Sequence, residues 1–110
     1  MVKIVIYKNA KHQTVGFCTS GHAGYSEAGY DIVCAAISVL TINTVNSIEK
    51  FTDDETTLVS DERTAVIDFQ LKGNHSKEAL LLLNAMVLGL EEIANDEDYR
   101  KYMDLTYEEV

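Results

Sequence analysis

Cys34 and His22, twelve positions apart, are the residues whose types and spacing fit nucleophilic chemistry. A Cys thiolate attacks carbonyl carbon, and an imidazole within reach can move the protons that acyl transfer requires. His22 lies in the segment Ser20-Gly21-His22-Ala23-Gly24-Tyr25-Ser26-Glu27-Ala28-Gly29-Tyr30, which holds three of the six glycines. Such a segment reads as a loop that brings backbone close to a ligand. Folded back, it would set His22 beside Cys34. Asp31, read as the N-cap of the next helix, puts Cys34 in the first turn, where unpaired amides and the macrodipole favour negative charge. First-turn amides, or those of Gly21 and Ala23, would form an oxyanion hole. Ser38, one turn beyond Cys34, can bond within the site or back to the Cys34 carbonyl. Asp31 can orient His22 in a triad-like arrangement or serve only as a cap.

The residue types admit plainer readings. A Cys on an apolar helix can be a small buried hydrophobe, and a loop His can be surface polarity. Cys18, His22 and Cys34 can supply three metal ligands, although no second close Cys or His pair completes a familiar spacing. Cys18 and Cys34 can form a redox pair, although they lack the Cys-x-x-Cys spacing. His12 and His75 fall in predicted turns and read as solvated.

The elements that must position these residues follow from periodicity. Residues 2–8 alternate, with Val2, Ile4 and Ile6 on one side, and residues 13–19 carry Val15 and Phe17 on one face. The two read as strands of a hairpin turning at residues 9–12. A helix is predicted over residues 31–49. No charge occurs between Ile32 and Ile48, so this helix is expected to be largely buried. Residues 56–60 and 64–71 read as a second hairpin turning at Asp61-Glu62, with Ile67, Phe69 and Leu71 inward. A second helix is predicted over residues 76–95. Ala79, Leu82, Leu83, Met86, Leu90 and Ile93 form its inward stripe, and Leu81 and Leu88 give it a second apolar face. Residues 102–107 allow a short C-terminal strand. The order β-β-α-β-β-α, with that possible last strand, implies a single two-layer α+β domain spanning residues 1–110, helices on a mostly antiparallel sheet.

Composition narrows the function classes. Eighteen acidic residues against nine basic ones give a formal net charge of −9. That excludes a clustered basic surface for direct nucleic-acid binding. It either steers a basic partner or merely keeps the protein soluble. Two cysteines do not make a secreted disulfide framework. The apolar N-terminal run is too short for a signal peptide. The longest apolar stretches read as interrupted short of a membrane span. A reduced, cytoplasmic protein with no membrane partner is the expectation.

Gly21-His22-Ala23-Gly24-Tyr25, followed by Gly29-Tyr30-Asp31-Ile32-Val33-Cys34-Ala35-Ala36-Ile37-Ser38, resembles the signature of the ribosomal-processing cysteine proteases, the Prp or YsxB-like family. The resemblance extends over essentially the whole chain, with no departure at the motif positions. It implies a catalytic dyad of His22 and Cys34, supporting roles for Asp31 and Ser38, no metal and no cofactor. It further implies a homodimer. The implied reaction removes the N-terminal extension of ribosomal protein twenty-seven of the large subunit, after a Phe-Phe pair. On that reading the loop with Tyr25 and Tyr30 would close over an extended peptide and form an apolar pocket. Two other readings stay open beside it. One is a non-enzymatic ribosome-assembly factor that binds the same basic tail, and the other is a different thiol acyl transfer such as deacylation.

Overall fold

The computed structural model describes residues 1–21 and 28–110, without the side chain of Ala28. Strand alternation fixes the framework. In β1 (Val2–Lys8) the inward residues Val2, Ile4 and Ile6 are all buried. β2 (Thr14–Ser20) pairs antiparallel with it, placing Val15 and Phe17 in the core. Asn9 closes the turn between them. Its Oδ1 accepts the amides of Lys11 and Gln13, each at 3.0 Å, an Asx arrangement that substitutes for a backbone turn.

The remaining elements are α1 (Ala28–Phe51), β3 (Glu55–Asp61), β4 (Val66–Lys72), α2 (Lys77–Ala94), a 3₁₀ turn at Arg100–Tyr102 and β5 (Met103–Glu109). The sheet order is β3-β4-β2-β1-β5. Among the described residues only the β1–β5 pairing is parallel, so the sheet is mixed and mostly antiparallel. The C-terminal strand is real and forms one edge. This is the expected α+β domain, with one layer of sheet and one of helix.

Phe17 and Phe69 sit opposite each other on β2 and β4, with ring centroids 5.7 Å apart. Val33, Ile37, Val45 and Ile48 of α1, and Ala79, Leu83, Met86, Val87 and Leu90 of α2, complete a single buried cluster with them. The helices also touch at Gly89, where a Cβ would stand 3.0 Å from Leu40 Cδ2. Leu81 and Leu88 lie outside the cluster and are exposed, as the second apolar face of α2 implied.

Four expectations are corrected. First, α1 is not largely buried. Ile32, Val39 and Ile42 are exposed, because a two-layer domain covers only one side of its helices. Second, residues 29–51 are long and apolar enough to cross a membrane by length and composition, where the sequence reading had the apolar stretches fall short. That helix packs its Val33–Ile37–Val45–Ile48 side into the core cluster. Third, β3 continues through Asp61, and the turn to β4 occupies residues 62–65. Asp61 Oδ1 accepts the Arg63 amide at 2.9 Å, and Ala65 takes a left-handed φ of 53°. Fourth, His75 is half-buried, with its Nδ1 enclosed.

The start of α2 rests on a polar relay. Ser76 caps the helix by accepting the Ala79 amide at 3.0 Å, and the Ser76 amide donates to Asp54 Oδ2 at 2.8 Å. Desolvation raises the Asp54 carboxyl, but bonds from the Ser76 hydroxyl and amide and from Thr52, with His75 nearby, outweigh it and hold the group below its ordinary value. A carboxylate held low stabilises the fold at neutral pH, and that contribution is lost as pH falls through its folded-state value. Thermal unfolding from pH 7 down to pH 3 should therefore show a shallower acid loss for Asp54→Asn than for wild type. Superimposable acid limbs would contradict the relay.

Candidate active site

Cys34 stands on α1 between Val33 and Ile37, which are buried and seat that side of the helix. The thiol itself is half-buried. It lines a cavity of about 370 Å³ bounded by three elements. Ile37, Ser38 and Thr41 continue the α1 wall. Val2, Thr19 and Gly21 form the end of the β1–β2 pair. Ser60, Asp61, Glu62, Ala65, Val66 and Ile67 bring the β3–β4 turn over the opening.

Gly21 is at this cavity because no other residue fits its backbone. Its φ is +88°, and a Cβ would lie 2.5 Å from the Met1 carbonyl oxygen. The residue that follows it in the chain is His22. His22, Ala23, Gly24 and Tyr25 lie outside the described residues.

Asp31, Cys34 and Ser38 share one face of α1 by their spacing of three and four residues. Asp31 and Ser38 are exposed. The helix begins three residues earlier than the sequence implied, at Ala28. Asp31 is therefore a first-turn acid, not the N-cap, and Cys34 lies in the second turn rather than the first. The macrodipole fades within the first turn, so the helix terminus loses its assigned share in activating Cys34.

Tyr30 is also relocated. It belongs to the first turn of α1 and is buried, edge-on to Tyr102 with centroids 6.0 Å apart. Gly29 makes this possible, because a Cβ there would stand 2.8 Å from the Tyr102 ring. Gly29 and Tyr30 thus serve helix packing, where the sequence suggested a loop closing over a ligand.

Cys18 takes no part in this site. It pairs across the strands with Val5 and Asp68, so it projects from the sheet face opposite Thr19, which lines the cavity. The sheet separates the two thiols, and a Cys18–Cys34 redox pair or a metal site using both is ruled out by that placement. On the open face Tyr7 donates to Asp68 Oδ2 at 2.8 Å. Burial and then the Asp68 charge push the Cys18 thiol up, against a lowering hydrogen bond with Tyr7. The periodicity did not reveal the β3–β4 turn as a cavity wall. The turn residues were visible as a turn, but nothing in their spacing says which helix they overhang.

Comparison with known proteins follows the same outline. The family model of the cysteine protease Prp matches residues 1–104. A ribosomal processing cysteine protease Prp of Staphylococcus aureus is 28% identical over 107 residues, covering 97% of this chain and 99% of its own. Its Bacillus subtilis counterpart is 26% identical over 110 residues, covering 96% of each. The S. aureus protease in complex with a substrate peptide superposes with a TM-score of 0.88 at 27% identity, covering 98% of this chain and 100% of that one. A second structure of it, with a covalently linked product peptide, gives 0.85 at 28% identity with the same coverage.

The two thiols should differ in reactivity. Iodoacetamide near neutral pH should label Cys34 well ahead of Cys18, read by peptide mass spectrometry. Asp68→Asn should speed Cys18 labelling, because it removes a charge that raises that thiol. Equal labelling of both thiols in the native protein would contradict the assignment.

Proposed function

The chain belongs to the Prp cysteine protease family, and from that premise we propose that it removes the N-terminal extension of ribosomal protein twenty-seven of the large subunit, cleaving after a Phe-Phe pair. The observation that carries the reading is Cys34 on the wall of a cavity, in a fold whose S. aureus relative holds a substrate peptide and a covalently linked product.

In the proposed mechanism the Cys34 thiolate attacks the carbonyl carbon of the second Phe. The C–S bond forms, and the oxyanion is held by backbone amides, with Gly21 and Ala23 as the candidate donors. The C–N bond then breaks, and the His22 imidazolium gives its proton to the leaving amine. Neutral His22 next takes a proton from water as the water attacks the thioester. The C–S bond breaks, the acid product leaves, and the thiolate–imidazolium pair is restored. Asp31 and Ser38, on the Cys34 face of α1, are assigned supporting roles. Tyr25 is assigned to the substrate side.

Charge supports the choice of substrate. The protein carries −9 overall, and Asp61 and Glu62 stand at the cavity, so a basic ribosomal tail meets an attractive field. The two free cysteines suit the reducing cytoplasm. A homodimer through exposed Leu81 and Leu88 of α2 belongs to the same reading.

Cys34→Ala should leave the Tm close to wild type and abolish cleavage of a precursor peptide followed by mass spectrometry. Full turnover by that variant would remove the nucleophile assignment. His22→Ala should lower kcat by roughly a hundredfold or more, the scale of a lost general acid–base group. Wild-type kcat in His22→Ala would leave Cys34 standing and remove the dyad.

A further inference from the structure

Thr19 differs from the other buried threonines in what its hydroxyl does. It is 7% exposed, on the inward side of β2, and stands between Ile4 and Ile67 across the strands. Its hydroxyl has no hydrogen-bond partner among the described residues. Thr41 and Thr44, by contrast, donate back to helix carbonyls at 2.8 and 2.6 Å. Thr14 Oγ1 is unpartnered too, but it is sealed from any ligand. Thr19 is not sealed in that way, and it lines the Cys34 cavity.

A hydroxyl buried between two isoleucines is costly where nothing bonds it, and Val has nearly the same shape without that cost. The side chain therefore calls for a partner that arrives in the cavity. We propose that Thr19 is a substrate-binding residue, whose hydroxyl hydrogen-bonds a main-chain group of the peptide beside the scissile bond. The inference rests on the protease reading above. It adds to the site a residue that lies outside the stretches around His22 and Cys34 that carry the family resemblance.

Chemistry selects the main chain as the partner. Among the described residues, β1 and β2 bring Val2, Thr19 and the adjoining Gly21 to the cavity, and Thr19 supplies their polar side chain. In the proposed substrate the two residues before the scissile bond are Phe, whose side chains carry no polar atom. Backbone N–H and C=O are the hydrogen-bonding groups that such a peptide offers there. A peptide that displaces solvent from a buried hydroxyl loses affinity unless it supplies a bond in return. A main-chain bond to Thr19 meets that requirement and helps to fix the peptide against Cys34.

The test compares Thr19→Val, which keeps the shape and removes the hydroxyl, with Thr19→Ser, which keeps the hydroxyl. On the precursor peptide, Thr19→Val should raise KM roughly tenfold with kcat little changed, and Thr19→Ser should stay within about twofold of the wild-type KM. The Tm of Thr19→Val should be no lower than wild type, because the fold itself makes no use of the hydroxyl. In a Cys34→Ala background, calorimetry on the uncleaved peptide should show Kd raised by a similar factor when Thr19→Val is added. The inference is overturned, and the protease reading stands, if Thr19→Val keeps the wild-type KM or Kd, if it lowers the Tm, or if Thr19→Ser is impaired as much as Thr19→Val. If the wild-type enzyme does not cleave the precursor peptide, that reading falls and the inference falls with it.

Discussion

The structure depends on how one side of α1 seats on the sheet. Phe17 and Phe69 form a paired aromatic platform on adjacent strands. Val33, Ile37, Val45 and Ile48 join that platform in a single buried cluster. Each such aliphatic side chain gains about 1.5–3 kcal/mol on full burial, so four of them fix the rotation of the helix firmly. That rotation decides everything about Cys34. With Val33 and Ile37 turned inward, Cys34 is half-buried at the margin of the interface, facing the β3–β4 turn. A helix rotated by one residue would bury the thiol or expose it fully.

The same seating explains the uncharged outer side of α1. A two-layer domain buries one helical face, yet Ile32, Val39 and Ile42 remain apolar on the other. Ile42 lines a smaller cavity beside that of Cys34, with Thr41, Ser60 and Ile67 common to both. The apolar character of this helix therefore reflects more than core packing.

The strands were legible in the sequence because period-two alternation survives any tertiary context. Val2, Ile4 and Ile6, and then Ile67, Phe69 and Leu71, declared their faces in advance. The Leu-rich stripe of α2 was legible for the corresponding reason at a period of 3.6. The start of α1 was not. Gly29 and Tyr30 look locally like loop residues, and Asp31 looks like a cap. The chain is helical there because the Tyr102 ring occupies the space over Gly29 and packs against Tyr30. That contact is with a residue more than seventy positions away, and local propensity carries no trace of it. The overhang of the β3–β4 turn is invisible for the same reason. Cys34 itself was legible as chemistry only through its neighbours in sequence, since a Cys on an apolar helix is ordinarily inert.

Moving Cys34 from the first to the second turn changes what can activate it. A favourable charge at a helix terminus gains about 0.3–1 kcal/mol at the surface and up to about 2 kcal/mol where partly buried. The effect falls off beyond the first turn. The second-turn position of Cys34 weakens that lever. In the proposed dyad the burden passes to a short-range cation, and His22 is the residue the motif supplies. A thiolate–imidazolium pair also accounts for the chemistry that a helix dipole cannot. Acyl transfer needs a proton delivered to the leaving amine and then withdrawn from water, and a fixed dipole moves no protons. Within the proposed reading, the decay of the dipole along the helix and the need for a group that titrates during turnover both favour His22 over the helix terminus.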